Sequence, residues 1–181
     1  VDPLVGLRPV EVIVELGDYE YTIPPLPAAD WIAAVLTTDG GSIVPGLLNA
    51  TDQRDVWTAF VLGEIDGDEL AEVERAALEV AAGRPWWEAD RLIRNLAAQE
   101  NWPTLHGELM LKGLDLAVLP LAAALNAIYA LIRRLISHDE PALARFDANL
   151  AMIPAGVDPA ELPATDEDEF RAMMLEQQQM G

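Results

Sequence analysis

Residues 84–137 read RPWWEADRLIRNLAAQENWPTLHGELMLKGLDLAVLPLAAALNAIYALIRRLIS. The stretch opens on the tryptophan pair Trp86-Trp87, adds Trp102 after a polar run, and closes in an apolar segment from Leu116 to Ile136. Nothing else in the chain is as apolar. Pro85 in a first turn, followed by Trp86, Ala89, Ile93 and Leu96 at steps of three and four, predicts one helix with Arg91 and Arg94 on its far side. Leu121, Leu125, Ile128, Ile132, Leu135 and Ile136 predict the inward face of another. Between them Asn101-Trp102-Pro103 punctuates the chain, Leu105, Leu109 and Met110 predict a shorter helix, and Asp115 is placed to cap the next one. The fold is therefore expected to be mainly α, with its hydrophobic centre in this stretch.

The same residues suggest where a partner would touch. Adjacent residues on a helix point about 100° apart, so one tryptophan of the pair fills the core and the other lies near a rim. The spacing shared with Ala89 and Ile93 places Trp86 inside and Trp87 outside. Ala122, Asn126, Tyr129 and Arg133 form the one stripe of the apolar helix left for solvent or a partner. Tryptophan is favoured in cores and at interface hot spots alike, which leaves Trp102 open to either role. The candidate partner-binding residues are thus Trp87, Trp102, Asn126, Tyr129 and Arg133. Leu116 to Ile132 is at the lower length limit for crossing a bilayer, is broken by Pro120 and is rich in alanine, so it reads as a core helix and not a membrane span.

Outward toward the N-terminus, Val12, Val14 and Leu16 alternate with Ile13 and Glu15, Gly17-Asp18 supplies a turn, and Tyr19, Tyr21 and Ile23 alternate with Glu20 and Thr22. A two-residue loop pairs Leu16 with Tyr19, Val14 with Tyr21 and Val12 with Ile23, all six on one greasy face, with Glu15 opposite Glu20 on the other. Pro24-Pro25-Leu26-Pro27 ends this hairpin. A short helix follows from Ala28 to Leu36, broken by Asp39-Gly40-Gly41-Ser42. Another runs from Thr51 or Asp52 to Leu62, with Val56, Trp57, Phe60 and Val61 expected inside. The acidic turn at Ile65 to Glu69 lacks the ligand spacing of a calcium loop. Asp66 as N-cap with Glu69 completing a capping arrangement explains it without an ion. The helix from Asp68 to Ala82 turns Leu70, Val73, Ala77 and Val80 inward and ends at Gly83.

Toward the C-terminus, Asp139 caps a helix with Leu143, Phe146 and Leu150 on its inner side. The composition then loosens at Pro154, and Thr165 to Glu169 could start a last helix. Three regions result: residues 1–27, a hairpin and proline-rich connector packed on the helices; 28–153, the helical core; and 154–181, an acidic linker with a helix or loose tail.

Charge and composition exclude several function classes. Thirty-one acids against 11 bases give a net charge of −20, which opposes nucleic acid and anionic membrane because both need Lys and Arg facing phosphate. A surface this acidic suits solubility, or a partner with a basic patch. Cysteine is absent, which removes thiol chemistry and fits a reducing cytoplasm. Val1-Asp2-Pro3 does not begin a signal peptide. His106, His138, Ser42, Ser137 and Lys112 make no recognisable catalytic motif, and no phosphate loop, nucleophile elbow or zinc helix occurs. No enzyme activity, cofactor or metal is expected.

The order of these elements resembles a known family. Val12-Ile13-Val14-Glu15-Leu16-Gly17-Asp18-Tyr19-Glu20-Tyr21, then Pro24-Pro25-Leu26-Pro27 and a tryptophan helix, is similar to the tail assembly chaperones of long-tailed, siphovirus-type phages of actinobacteria. Arg84-Pro85-Trp86-Trp87, Arg91-Leu92-Ile93, Trp102, Gly107-Glu108-Leu109, Gly113-Leu114-Asp115 and Leu125-Asn126-Ala127-Ile128-Tyr129 extend the likeness over about residues 10 to 150. It is a likeness of element order and tryptophan placement. The resemblance implies a protein of the host cytoplasm, absent from the finished particle, that binds the tape measure protein, keeps it soluble and helps recruit tail tube subunits. It also implies a longer frameshifted form and no catalytic residues. Beside these partners the chain is open to forming a homo-oligomer. Two other roles fit the same sequence: a structural virion component such as a tail or connector protein, and an acidic decoy that mimics DNA.

Overall fold

The computed structural model of the protein describes residues 8–37, 43–98 and 100–157. Among them two strands and eight helices follow in order: β1 (Val12–Leu16), β2 (Tyr19–Ile23), α1 (Ala28–Thr37), α2 (Ile43–Leu47), α3 (Ala50–Leu62), α4 (Gly67–Ala82), α5 (Trp86–Ala97), α6 (Trp102–Leu111), α7 (Leu121–Ile136) and α8 (Glu140–Ala151). The protein is mainly helical with an N-terminal antiparallel hairpin, the class expected from sequence. Two units divide the chain, one ending at Ala151 and holding all ten elements, the other beginning at Met152. In the second, the described residues form a turn closed by the Val157 amide donating to the Pro154 carbonyl at 3.3 Å. The expected helix after Thr165 and the break at Asp39-Gly40-Gly41-Ser42 lie outside the described residues.

The hairpin has the anticipated register, with Val12 opposite Ile23, Val14 opposite Tyr21 and Leu16 opposite Tyr19. Gly17 takes φ 60° while Asp18, like every other described non-glycine residue, has negative φ, the pattern of a II′ turn. Two strands alone are marginal in water, and β1 lies against α4. Val12, Val14, Leu16, Tyr21 and Ile23 are buried there, whereas Tyr19, expected with them, stands out at the turn. The turn is tied down as well: the Gly17 amide donates to the Glu69 carboxylate at 2.7 Å. Glu69 therefore serves the hairpin, and Asp66 alone caps α4, its carboxylate accepting from the Asp68 and Glu69 amides.

The centre of the molecule is α5, which packs on α1, α4, α6, α7 and α8. Ala89, Leu92, Ile93 and Leu96 of α5, Ala124, Leu125 and Ile128 of α7, and Trp31 of α1 are sealed from solvent. Surrounded by five helices, α5 is covered on more than one side, and this reverses the expectation for the tryptophan pair. Trp87 is 4% exposed, while Trp86 sits half-buried at the core margin with the Arg75 guanidinium 5.1 Å from its ring centre.

The helix ends are fixed by specific donors and acceptors. Asn49, not Thr51 or Asp52, caps α3: its side-chain oxygen accepts from both those amides at 3.0 and 3.1 Å, and its amide group donates to Asp52. Gly63 closes the same helix in the left-handed conformation. Asp115 caps the tight turn before Pro120, accepting from the Ala117 amide, so α7 starts later than the apolar run does. Carbonyls of that turn reach across the molecule, since the Ala28 and Ala29 amides at the start of α1 donate to Leu119 and Leu116. Asp139 caps α8 as expected. The far end of α8 is held by Arg91, whose guanidinium donates to the Asn149 and Leu150 carbonyls at 2.7 and 2.9 Å.

Candidate partner-binding surface

The stripe of α7 reserved by sequence for a partner is occupied within the molecule. Asn126 accepts a short hydrogen bond from Arg84, just ahead of α5. The Tyr129 hydroxyl donates to Asp147 of α8 at 3.2 Å, and its ring stacks on Phe146. Arg133 pairs with the same Asp147 at 3.3 Å and lies 5.4 Å from the Tyr129 ring centre. Ala122, at the head of the stripe, is buried. Asn126, Tyr129 and Arg133 thus join α7 to its neighbours, while Asn126 and Arg133 keep exposed outer surface. Trp87, buried with its indole N–H lacking a hydrogen-bond partner, is out of reach of any partner that leaves the fold intact.

Burial also shapes the electrostatics here. It lowers the Arg84 pKa, opposed by Glu88 and Tyr129, and it raises that of Glu88, opposed by Arg84 and Arg91. On α4, Glu74 is 5% exposed and takes a place in the buried arc that sequence spacing had given to Val80, which is 54% exposed. Its carboxyl accepts from the Ile43 and Val44 amides at the start of α2, yet burial outweighs those bonds and raises its pKa.

Like Asn126 and Arg133, which keep exposed surface beside their intramolecular bonds, Trp102 is open to solvent, 39% exposed. His106 stacks on it, ring centres 4.6 Å apart and planes 8° from parallel. Near it, α6, the end of α7 and α8 enclose an open cleft floored by Leu105, Ile132 and Phe146, with Leu135 and Ile136 on its wall. Those last residues of the expected α7 core face thus line a cleft.

The larger exposed apolar surface is one that sequence assigned to the core. Of the four α3 residues expected inside, only Val56 is buried, joined by Ala59. Trp57 and Phe60, in edge-to-face contact with ring centres 5.9 Å apart, face outward together with Val61 and Leu62, Val61 being 81% exposed. Positions 57, 60 and 61 share one face of a helix. On its other side, Asp52 and Asp55 face the hairpin, where burial, followed by Asp55, Tyr19, Asp52 and Glu64, raises the Tyr21 pKa. The sequence signal for this exposure was weak: an apolar i, i+3, i+4 stripe reads as core unless a second, smaller apolar pair such as Val56 and Ala59 is recognised as sufficient to seat the helix.

Among the described residues, no three of His, Cys, Asp and Glu are grouped to hold a metal ion, and no helix is long and apolar enough to cross a membrane. Comparison of the chain with protein families, curated proteins and solved structures finds no match.

Proposed function

We propose that the protein works by binding another protein, through apolar and aromatic side chains held on a rigid acidic scaffold. More particularly, it acts as a tail assembly chaperone of a long-tailed phage, in the host cytoplasm, holding the tape measure protein in solution and helping to recruit tail tube subunits. The observation that carries the binding role is the outward row Trp57, Phe60 and Val61 on a helix whose two ends are already capped. A monomer gains nothing from such a row, and contiguous exposed apolar surface marks interaction sites. The choice of partner rests on the resemblance in element order and tryptophan placement. An excess of carboxylates around the row would keep a complex with a greasy helical protein dissolved.

Co-expression with the tape measure protein of the same phage tests this reading. The tape measure protein is expected in the soluble fraction and on the same affinity column. Combined replacement of Trp57 and Phe60 by serine is expected to return it to the insoluble fraction while the variant itself keeps its helical circular dichroism. A tape measure protein that stays insoluble beside the unaltered chain defeats the proposal. Recovery of the chain from purified virions would favour the structural role.

A further inference from the structure

Among the described residues the sheet has two strands, and β1 is an edge. Because the two-residue turn makes Leu16 and Tyr19 a hydrogen-bonded pair, Val14 and Val12 also exchange their bonds with β2. The backbone groups of Ile13 and Glu15 alternate with these and point away from β2. Beside that edge runs a groove whose far wall is Val73, Ala76 and Val80 of α4. Val80 and Ile13 are both exposed large apolar residues in an acidic protein. The outer face of the hairpin carries Glu11, Glu15 and Glu20, all exposed.

We propose that β1 accepts a third strand: an extended peptide segment of a partner, alternating basic and apolar residues, that pairs with the free backbone groups of Ile13 and Glu15. Side chains alternate across a strand, so the apolar residues of such a segment fall on Val73, Ala76 and Val80. Its basic residues fall on the outer face, beside Glu11 and Glu15. The ladder supplies affinity without sequence preference, and the groove and carboxylates supply selection. A second copy of the protein is the wrong occupant. Antiparallel pairing of two β1 strands about Ile13 would set Glu11 of each copy against Glu15 of the other, and like charges directly opposed are destabilising. This inference is independent of the role proposed for α3.

The probe is a synthetic ten-residue peptide alternating lysine and valine, titrated into the whole protein and followed by amide hydrogen exchange. Binding should slow exchange at the Ile13 and Glu15 amides while leaving α3 unchanged. The same peptide with alternate backbone nitrogens methylated loses donors on one edge only, and should bind about fivefold more weakly for each ladder bond lost. Replacing its lysines with glutamates should abolish binding. Ile13→Pro removes an outward donor without touching the β1–β2 ladder and should weaken binding by a similar factor. If that variant misfolds, the methylated peptide gives the same information on the unaltered protein. Three results overturn the proposal: no binding at millimolar peptide, equal binding of the methylated peptide, or protection of Ile13 and Glu15 in the protein alone together with dimerisation.

Discussion

Glu74 and Trp57 are each in a place that their residue type disfavours, and each yields a measurable difference. The Glu74 carboxyl is buried and its pKa raised, mainly by desolvation. A carboxyl whose folded pKa lies above its unfolded value binds protons more readily when folded, so its ionisation destabilises the protein as pH rises through that interval. Glu74→Gln is therefore expected to melt higher than the wild type at neutral pH. The gap should narrow as pH falls and close below the ordinary carboxyl value of 4.5, which paired thermal melts across that range would check. Removing Trp57 alone, 37% exposed and in edge contact with Phe60, should cost about 1–2 kcal/mol, within the ordinary range for a single substitution. Trp87→Ala should cost about 3–5 kcal/mol, the range for emptying a buried aromatic site. Urea melts of the two variants distinguish an outward row from a core face, and equal losses would contradict the assignment. Sequence spacing ranked these two tryptophans the wrong way round, Trp57 inside and Trp87 at a rim, because it credits each helix with a single apolar stripe. What separates them is the number of helices packed round α5 against the few around α3, a property of the assembled fold.

At the scale of elements, the hairpin was the most legible part. A two-residue turn and strict alternation fix register with no tertiary information, and Val12, Val14 and Leu16 paired as read. Helix spans were legible from periodicity, but the buried face of α3 was misread and two starts were misplaced by a few residues. The start of α3 moved to Asn49 and that of α7 moved past Pro120. Asn49→Ala should cost about 1 kcal/mol, the usual loss for an N-cap side chain, readable as a lower urea midpoint with an unchanged slope. Arg91→Ala should act on a different element. It leaves the last carbonyls of α8 without their guanidinium donor, so amides of α8 should exchange faster while those of α4 keep their protection. Loss of protection throughout the protein would instead mean that α8 is integral to the core.

The molecule as a whole carries −20 on 181 residues, and such a charge repels itself. Added salt screens that repulsion over about 8–10 Å at physiological strength. The melting temperature should therefore rise between low and moderate sodium chloride, and a fall would show that attractive pairs dominate. The described salt bridges are largely solvent-facing, Arg54 with Asp55 and Arg94 with Asp90 among them, and pairs of this kind contribute little. Fold class was open to reading because it depends on summed periodicity, whereas the candidate site was not, because it depends on which apolar surface the finished packing leaves over. One long connection also sets an order in time. The opening amides of α1 are met by carbonyls of Leu116 and Leu119, which leave the ribosome long after Ala28 does. At ordinary rates of synthesis the delay is roughly 5–20 s. Through that interval the first helix has no proper beginning, and a nascent chain arrested short of Leu116 would show the Ala28 and Ala29 amides open to solvent.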